Sequence, residues 1–150
     1  MYKPKYFALT ELVPKEVYDF YTEHLHEDLA WQLFDENLLK AIDWLRERYG
    51  SAVINNWKAG GAFKQSGLRT KKGGYYSKGS MHSVGKAADI KFSKITPQQV
   101  EADLRAMMER GEPIPFFTRL EDTRYTTTWV HIDTKPVSNL EDGKIHIFIP

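Results

Sequence analysis

Apolar residues recur at Leu38, Leu39, Ile42 and Leu45, the spacing of one helix face. Asp35 can cap that helix and Gly50 can end it. A second helix is predicted over "ITPQQVEADLRAMMERG", with Thr96 as cap, Pro97 at the first helical position, Gln99 closing a capping box and Gly111 as the stop. "PKEVYDFYTEHLHEDLAWQLF" reads as helical at least in part, with Pro14 in its first turn. Other segments alternate with a period of two. "SAVINNW", "AADIKF", "PFFTRLE", "TWVHIDT" and "KIHIFI" are strand candidates. From Ala59 to Gly79 the chain is rich in Gly, Lys and Ser and reads as loop. Helices mixed with mainly antiparallel strands predict an α+β fold, a small sheet flanked by helices.

The alternation also sorts faces. In "TWVHIDT", Val130 and Ile132 turn to the core, while Trp129, His131 and Asp133 turn the other way. In "AADIKF", Asp89 and Lys91 lie opposite Ile90 and Phe92. If the two strands are neighbours, Asp89 and His131 meet at one point. His82, in "GSMHSVGKAADI", reaches the same point if Gly85 lets the backbone turn tightly. Two imidazoles and a carboxylate are a catalytic zinc set that leaves a fourth position open. Each of these residues alone could be an ordinary surface group, and His24, His26 and His146 are read that way.

Composition narrows the picture. A chain of 150 residues without visible repeats or linkers is expected to form a single domain over 1–150. Charges nearly cancel, with 21 basic and 20 acidic residues, so no nucleic-acid footprint is expected. "RTKKGGYYSKG" is locally basic, but its glycines make it read as a mobile loop. The absence of cysteine removes disulfides, thiolate ligands and cysteine nucleophiles. No apolar run suits a secretory signal or a membrane span. The expectation is a soluble, cytoplasmic monomer without membrane insertion. It would need a separate release route to act outside the cell.

"SMHSVGKAADI" fits the pattern S-x-H-x-x-G-x-A-x-D-I, and "WVHID" fits a later H-x-D. Together with "SGLR", Ser66 to Arg69, they resemble the zinc D-Ala-D-Ala carboxypeptidase and L-Ala-D-Glu endopeptidase family, which includes phage endolysins and shares a fold with the Hedgehog signalling domain. The resemblance covers Ser66 to about Thr134. It implies a Hedgehog/DD-peptidase-like fold, Zn2+ held by His82, Asp89 and His131, and a peptidoglycan stem peptide as substrate. It also implies that Arg69 binds substrate or steadies the transition state. A guanidinium suits that role because it is always charged and grips a carboxylate in two places.

One departure stands out. The family keeps its general base two or three residues before the last zinc histidine, where this chain has Trp129 and Thr128. A hairpin between "FFTRLE" and "TWVHID" would bring Glu121 near Trp129, on the face of His131, as the substitute base. Asp122 would point away or lie in the turn. Asp133 is expected to orient a ligand histidine from behind, and Trp129 and Ser80 to support the site or touch substrate. Tyr75 and Tyr76 could form a flap. The leading expectation is a zinc metallopeptidase that hydrolyses a stem-peptide amide. The alternatives are a non-catalytic zinc module that binds peptidoglycan or a protein partner, and a zinc hydrolase for another small amide.

Overall fold

The computed structural model describes residues 1–150. Three α-helices, α1 (Lys15–His24), α2 (Glu36–Tyr49) and α3 (Pro97–Glu109), accompany five strands. The strands are β1 (Ala52–Val53), β2 (Ala87–Phe92), β3 (Arg119–Glu121), β4 (Val130–Asp133) and β5 (His146–Phe148). They form one sheet in the order β1-β2-β4-β3-β5, antiparallel except for the β3–β5 pair. The fold is therefore α+β with a mainly antiparallel sheet. No helix is long and apolar enough to cross a membrane.

The helix ends follow local chemistry. Asp35 accepts from the Asn37 N–H, and Gly50 ends α2 at φ +90°. Thr96 and Gln99 close the capping box of α3, with Pro97 inside it. Pro14 is the N-cap of α1 rather than its first residue. Beyond His24 the chain tightens into a 3-10 stretch, Glu27–Leu33, instead of one long helix.

Two predicted strands are shorter than their sequence patterns. β1 stops at Val53 because the asparagines that follow serve the neighbouring loops. The Asn55 side chain donates to Val13 O at 3.3 Å and accepts from the Ser66 N–H at 2.8 Å. β3 begins only at Arg119. Before it, Pro113 and Pro115 carry no backbone N–H to offer a ladder, and Phe116 turns through φ +78°.

The sheet has two unlike faces. Ala88, Ile90, Leu120, Val130 and Ile132 are buried and join one cluster of 25 residues with the inner sides of α2 and α3. On this face α2 lies against β2. Each buried Ile, Leu or Val side chain here contributes about 1.5–3 kcal/mol. The opposite face carries Asp89, Glu121, His131 and Asp133.

Candidate metal centre

β2 and β4 set Asp89 directly opposite His131. His82 comes from a 3-10 turn, Met81–Val84, that feeds β2. Two glycines aim this turn. Gly85 closes it at φ +69°, and a side chain there would strike Leu33 O at 1.8 Å. Gly67 lies so close to Leu12 O that a Cβ would stand 2.2 Å from it, and its own carbonyl faces His82. The Ser80 hydroxyl accepts from the His82 N–H at 3.3 Å, so Ser80 supports the turn.

Hydrogen bonding fixes the tautomers. A carbonyl only accepts, so His82 Nδ1–H must donate to Gly67 O, at 2.8 Å. The ionised Asp133 likewise only accepts, so His131 Nε2–H donates to its Oδ2, at 3.2 Å. The remaining nitrogens, His82 Nε2 and His131 Nδ1, face each other at 3.2 Å. Asp89 Oδ1 stands 2.8 Å from the second and 3.2 Å from the first. Three donor atoms thus converge on one point. A tetrahedral ion with bonds near 2.0–2.1 Å would hold its ligands about 3.3 Å apart, close to the spacing found. The group His82, Asp89 and His131 could hold a metal ion.

Electrostatics agrees. Burial opposes charge on Asp89, but the flanking imidazoles of His131 and His82 hold its carboxyl well below the usual range. Burial also opposes charge on Asp133, yet His131 and Arg119 keep it at about 2. His131 lies between both carboxylates. Burial works against its proton, but bonds to Asp133 and Asp89 push it up to about 9 from 6.5.

That proton on Nδ1 occupies the place a metal would take. In the metal-free protein the raised value stabilises the fold fully below about pH 6.5, and the gain is lost as pH rises through about 9. Below about pH 9 metal binding should release a proton, and apparent affinity should climb with pH. Calorimetry in buffers of different ionisation enthalpy reads this directly. Buffer-independent heats near neutral pH would contradict it.

Behind His131 stands a residue that the sequence reading did not single out. Arg119 grips Asp133 with two bonds, Nε to Oδ1 at 2.8 Å and Nη2 to Oδ2 at 2.6 Å. Its guanidinium lies over the Phe148 ring at 3.9 Å, and Phe148 meets the His131 ring edge-on at 5.9 Å. Asp133 is fully buried and depends on this partner. Arg119→Ala should weaken metal binding about 10–100-fold, as loss of a supporting partner does, with Arg119→Lys recovering part of it. Competition with a chromogenic chelator measures both, and equal affinities would show that Asp133 holds its place unaided.

Arg69 is not a free loop arginine. It donates from Nη2 to Asp89 Oδ2 at 3.1 Å and from Nε to Gln65 O at 2.9 Å. Nη1 has no protein partner. Arg69 lines a cavity of about 310 Å³ with the three candidate ligands, Glu121 and Trp129.

Glu121 enters the cavity from β3. The register pairs Arg119 with Asp133 and Leu120 with Ile132, so Glu121 comes next to His131 rather than Trp129. Its carboxylate makes no hydrogen bond or ion pair, and burial raises its pKa. Asp122 sits in the turn beyond β3, locked to Arg124 at 2.7 Å. Tyr75 is exposed and lines an adjoining cavity instead. His24, His26 and His146 are exposed and lie outside the cluster. The chain matches no protein-family model, no curated protein and no solved structure at a significant level.

Proposed function

We propose that this protein is a zinc-dependent peptidase acting on peptidoglycan stem peptides, with a Hedgehog/DD-peptidase-like fold. One observation carries the reading: three candidate ligand atoms converge beside an unpaired, half-buried carboxylate in an open cavity. Two imidazoles and one carboxylate favour zinc over magnesium or calcium, which prefer all-oxygen sets. The substrate class comes from the resemblance of "SMHSVGKAADI" and "WVHID" to the family, not from the cavity itself.

Zinc at this place would polarise the amide carbonyl and make water more acidic. The protein's own groups supply the rest. Glu121 takes a proton from the attacking water as the carbon–oxygen bond forms. It returns that proton to the nitrogen as the carbon–nitrogen bond breaks. Arg69 offers its free Nη1 to the developing oxyanion. Arg69→Ala should therefore lower the rate at least about tenfold. An unchanged rate would reduce Arg69 to a brace for Asp89. The non-catalytic alternative leans on the missing general base at Thr128 and Trp129, and Glu121 in the cavity weakens that ground.

The deciding experiment is digestion of purified sacculi by the zinc-loaded protein, with the products read by mass spectrometry. New amine termini or free D-amino acids in the soluble fraction are expected. An intact wall at high protein concentration would overturn the reading.

A further inference from the structure

The cavity at the candidate ligands does not end there. A second, of about 400 Å³, adjoins it along Arg69, Asp89 and Trp129. A third, of about 460 Å³, adjoins the second along Lys64 and Gln65 and reaches Lys72, Lys15 and Trp57. Each thus shares wall residues with the next.

Charge along these walls is lopsided. The second and third cavities are lined by Lys15, Lys64, Arg69, Lys72 and Lys91, against only Asp89 and Glu16. The whole chain is nearly neutral at +1, so the excess is local. Both acids are engaged. Asp89 gives one oxygen to the histidines and the other to Arg69. Glu16 accepts from the Thr70 hydroxyl at 2.8 Å. The cations are less committed. Lys15 is paired with Asp19, but Lys64 and Lys72 have no carboxylate partner. Lys91 is more engaged: its Nζ bonds to Ile54 O and Ser66 Oγ and lies 4.1 Å from the Phe63 ring, which leaves at most one donor for a ligand.

Two further features fit a peptide. Phe63, Tyr75 and Trp129 give the second cavity apolar walls suited to side chains. Gln65 Oε1, on the wall shared by the second and third cavities, is buried without a hydrogen-bond partner. An unsatisfied buried acceptor is costly, so a turn of this side chain that brings its oxygen to a peptide N–H in the cleft would be favoured.

We propose that these cavities form one cleft that binds an extended acidic peptide, with carboxylates lying along Arg69, Lys91, Lys64 and Lys72 away from the candidate metal. The proposal takes from the peptidase reading only that the ligand is a peptide. It gives the basic stretch "RTKKGGYYSKG" a role as one wall of the cleft rather than a mobile loop. It also separates this site from one built for a free dipeptide, which would leave the second and third cavities unused.

The test is calorimetric titration of the zinc-loaded full chain with blocked alanine hexapeptides carrying two glutamates, two glutamines or two lysines, each in L and D series. The glutamate peptide should bind about tenfold or more tightly than the glutamine peptide in at least one series, and added salt should shrink the gap. Lys64→Glu with Lys72→Glu should erase most of that preference while metal content stays at the parental level. Equal affinities for glutamate and glutamine peptides, or no binding in either series, would overturn the proposal. So would an unchanged preference in the double variant. Tight binding of the glutamate peptide without any cleavage of peptides or sacculi would uphold the cleft and sink the peptidase reading instead.

Discussion

His82→Ala and His131→Ala should each emerge from a desalting column without metal, while the parent and His146→Ala retain about one equivalent per chain. Each of the first two variants removes one of only three protein donors. The loss should exceed the roughly 10–100-fold that a supporting partner costs. The two variants should differ in stability. His82→Ala leaves Asp89 held by Arg69 and His131. His131→Ala strips a cation from between Asp89 and Asp133, both buried; each keeps an arginine partner, so the cost should fall below the roughly 3–5 kcal/mol of a buried charge left unpaired. Metal content must therefore be read on the folded fraction, with circular dichroism as the check. Chelator treatment of the parent separates the two effects further, since it removes the ion and keeps the side chains. His146, exposed on β5, controls for nonspecific histidine binding. Equal metal in folded His82→Ala, His146→Ala and parent would end the assignment of this cluster as a metal site.

How far this cluster is legible in the sequence depends on the range of the interactions that build it. Asp89 and His131 are found by alternation, because β2 and β4 turn their branched apolar side chains to one face and their ionisable ones to the other, although both faces are buried. Gly85 marks the turn that brings in His82 for a reason local to its backbone. Helix α3 is readable to the residue from its capping box and proline. The 3-10 course of Glu27–Leu33 is not, since the stretch carries no strong helix-breaking residue. Phe148 escapes for another reason: it depends on β3 pairing in parallel with β5, a long-range choice that no local signal reports. Arg119 is within reach, because the β3–β4 parity that selects Glu121 selects it as well. The continuous cleft was out of reach. It requires knowing that Lys64 and Lys91, far apart in sequence, line one cavity.

Glu121→Gln should keep the metal and lose cleavage by about two to four orders of magnitude, the usual worth of a general base. The substitution preserves size and hydrogen bonding and removes only basicity. Nothing in the protein competes for this carboxylate, which makes no hydrogen bond or ion pair, so the amide should cost little stability. Burial holds its pKa above the ordinary carboxylate value, which makes it a better proton acceptor than an exposed glutamate. The acidic limb of the pH–rate profile should accordingly fall at a higher pH than a free carboxylate would give, with activity rising as the group ionises. Asp122→Asn is the matched control. Asp122 is held at about 2 by Arg124 in the turn beyond β3, so its charge serves that turn and not the cavity. Its variant should lose some stability and keep most of its rate. A dead Asp122→Asn beside an active Glu121→Gln would mean that β3 is shifted by one residue against β4. If both variants stay fully active while His131→Ala is inactive, the metal site stands and another group accepts the proton.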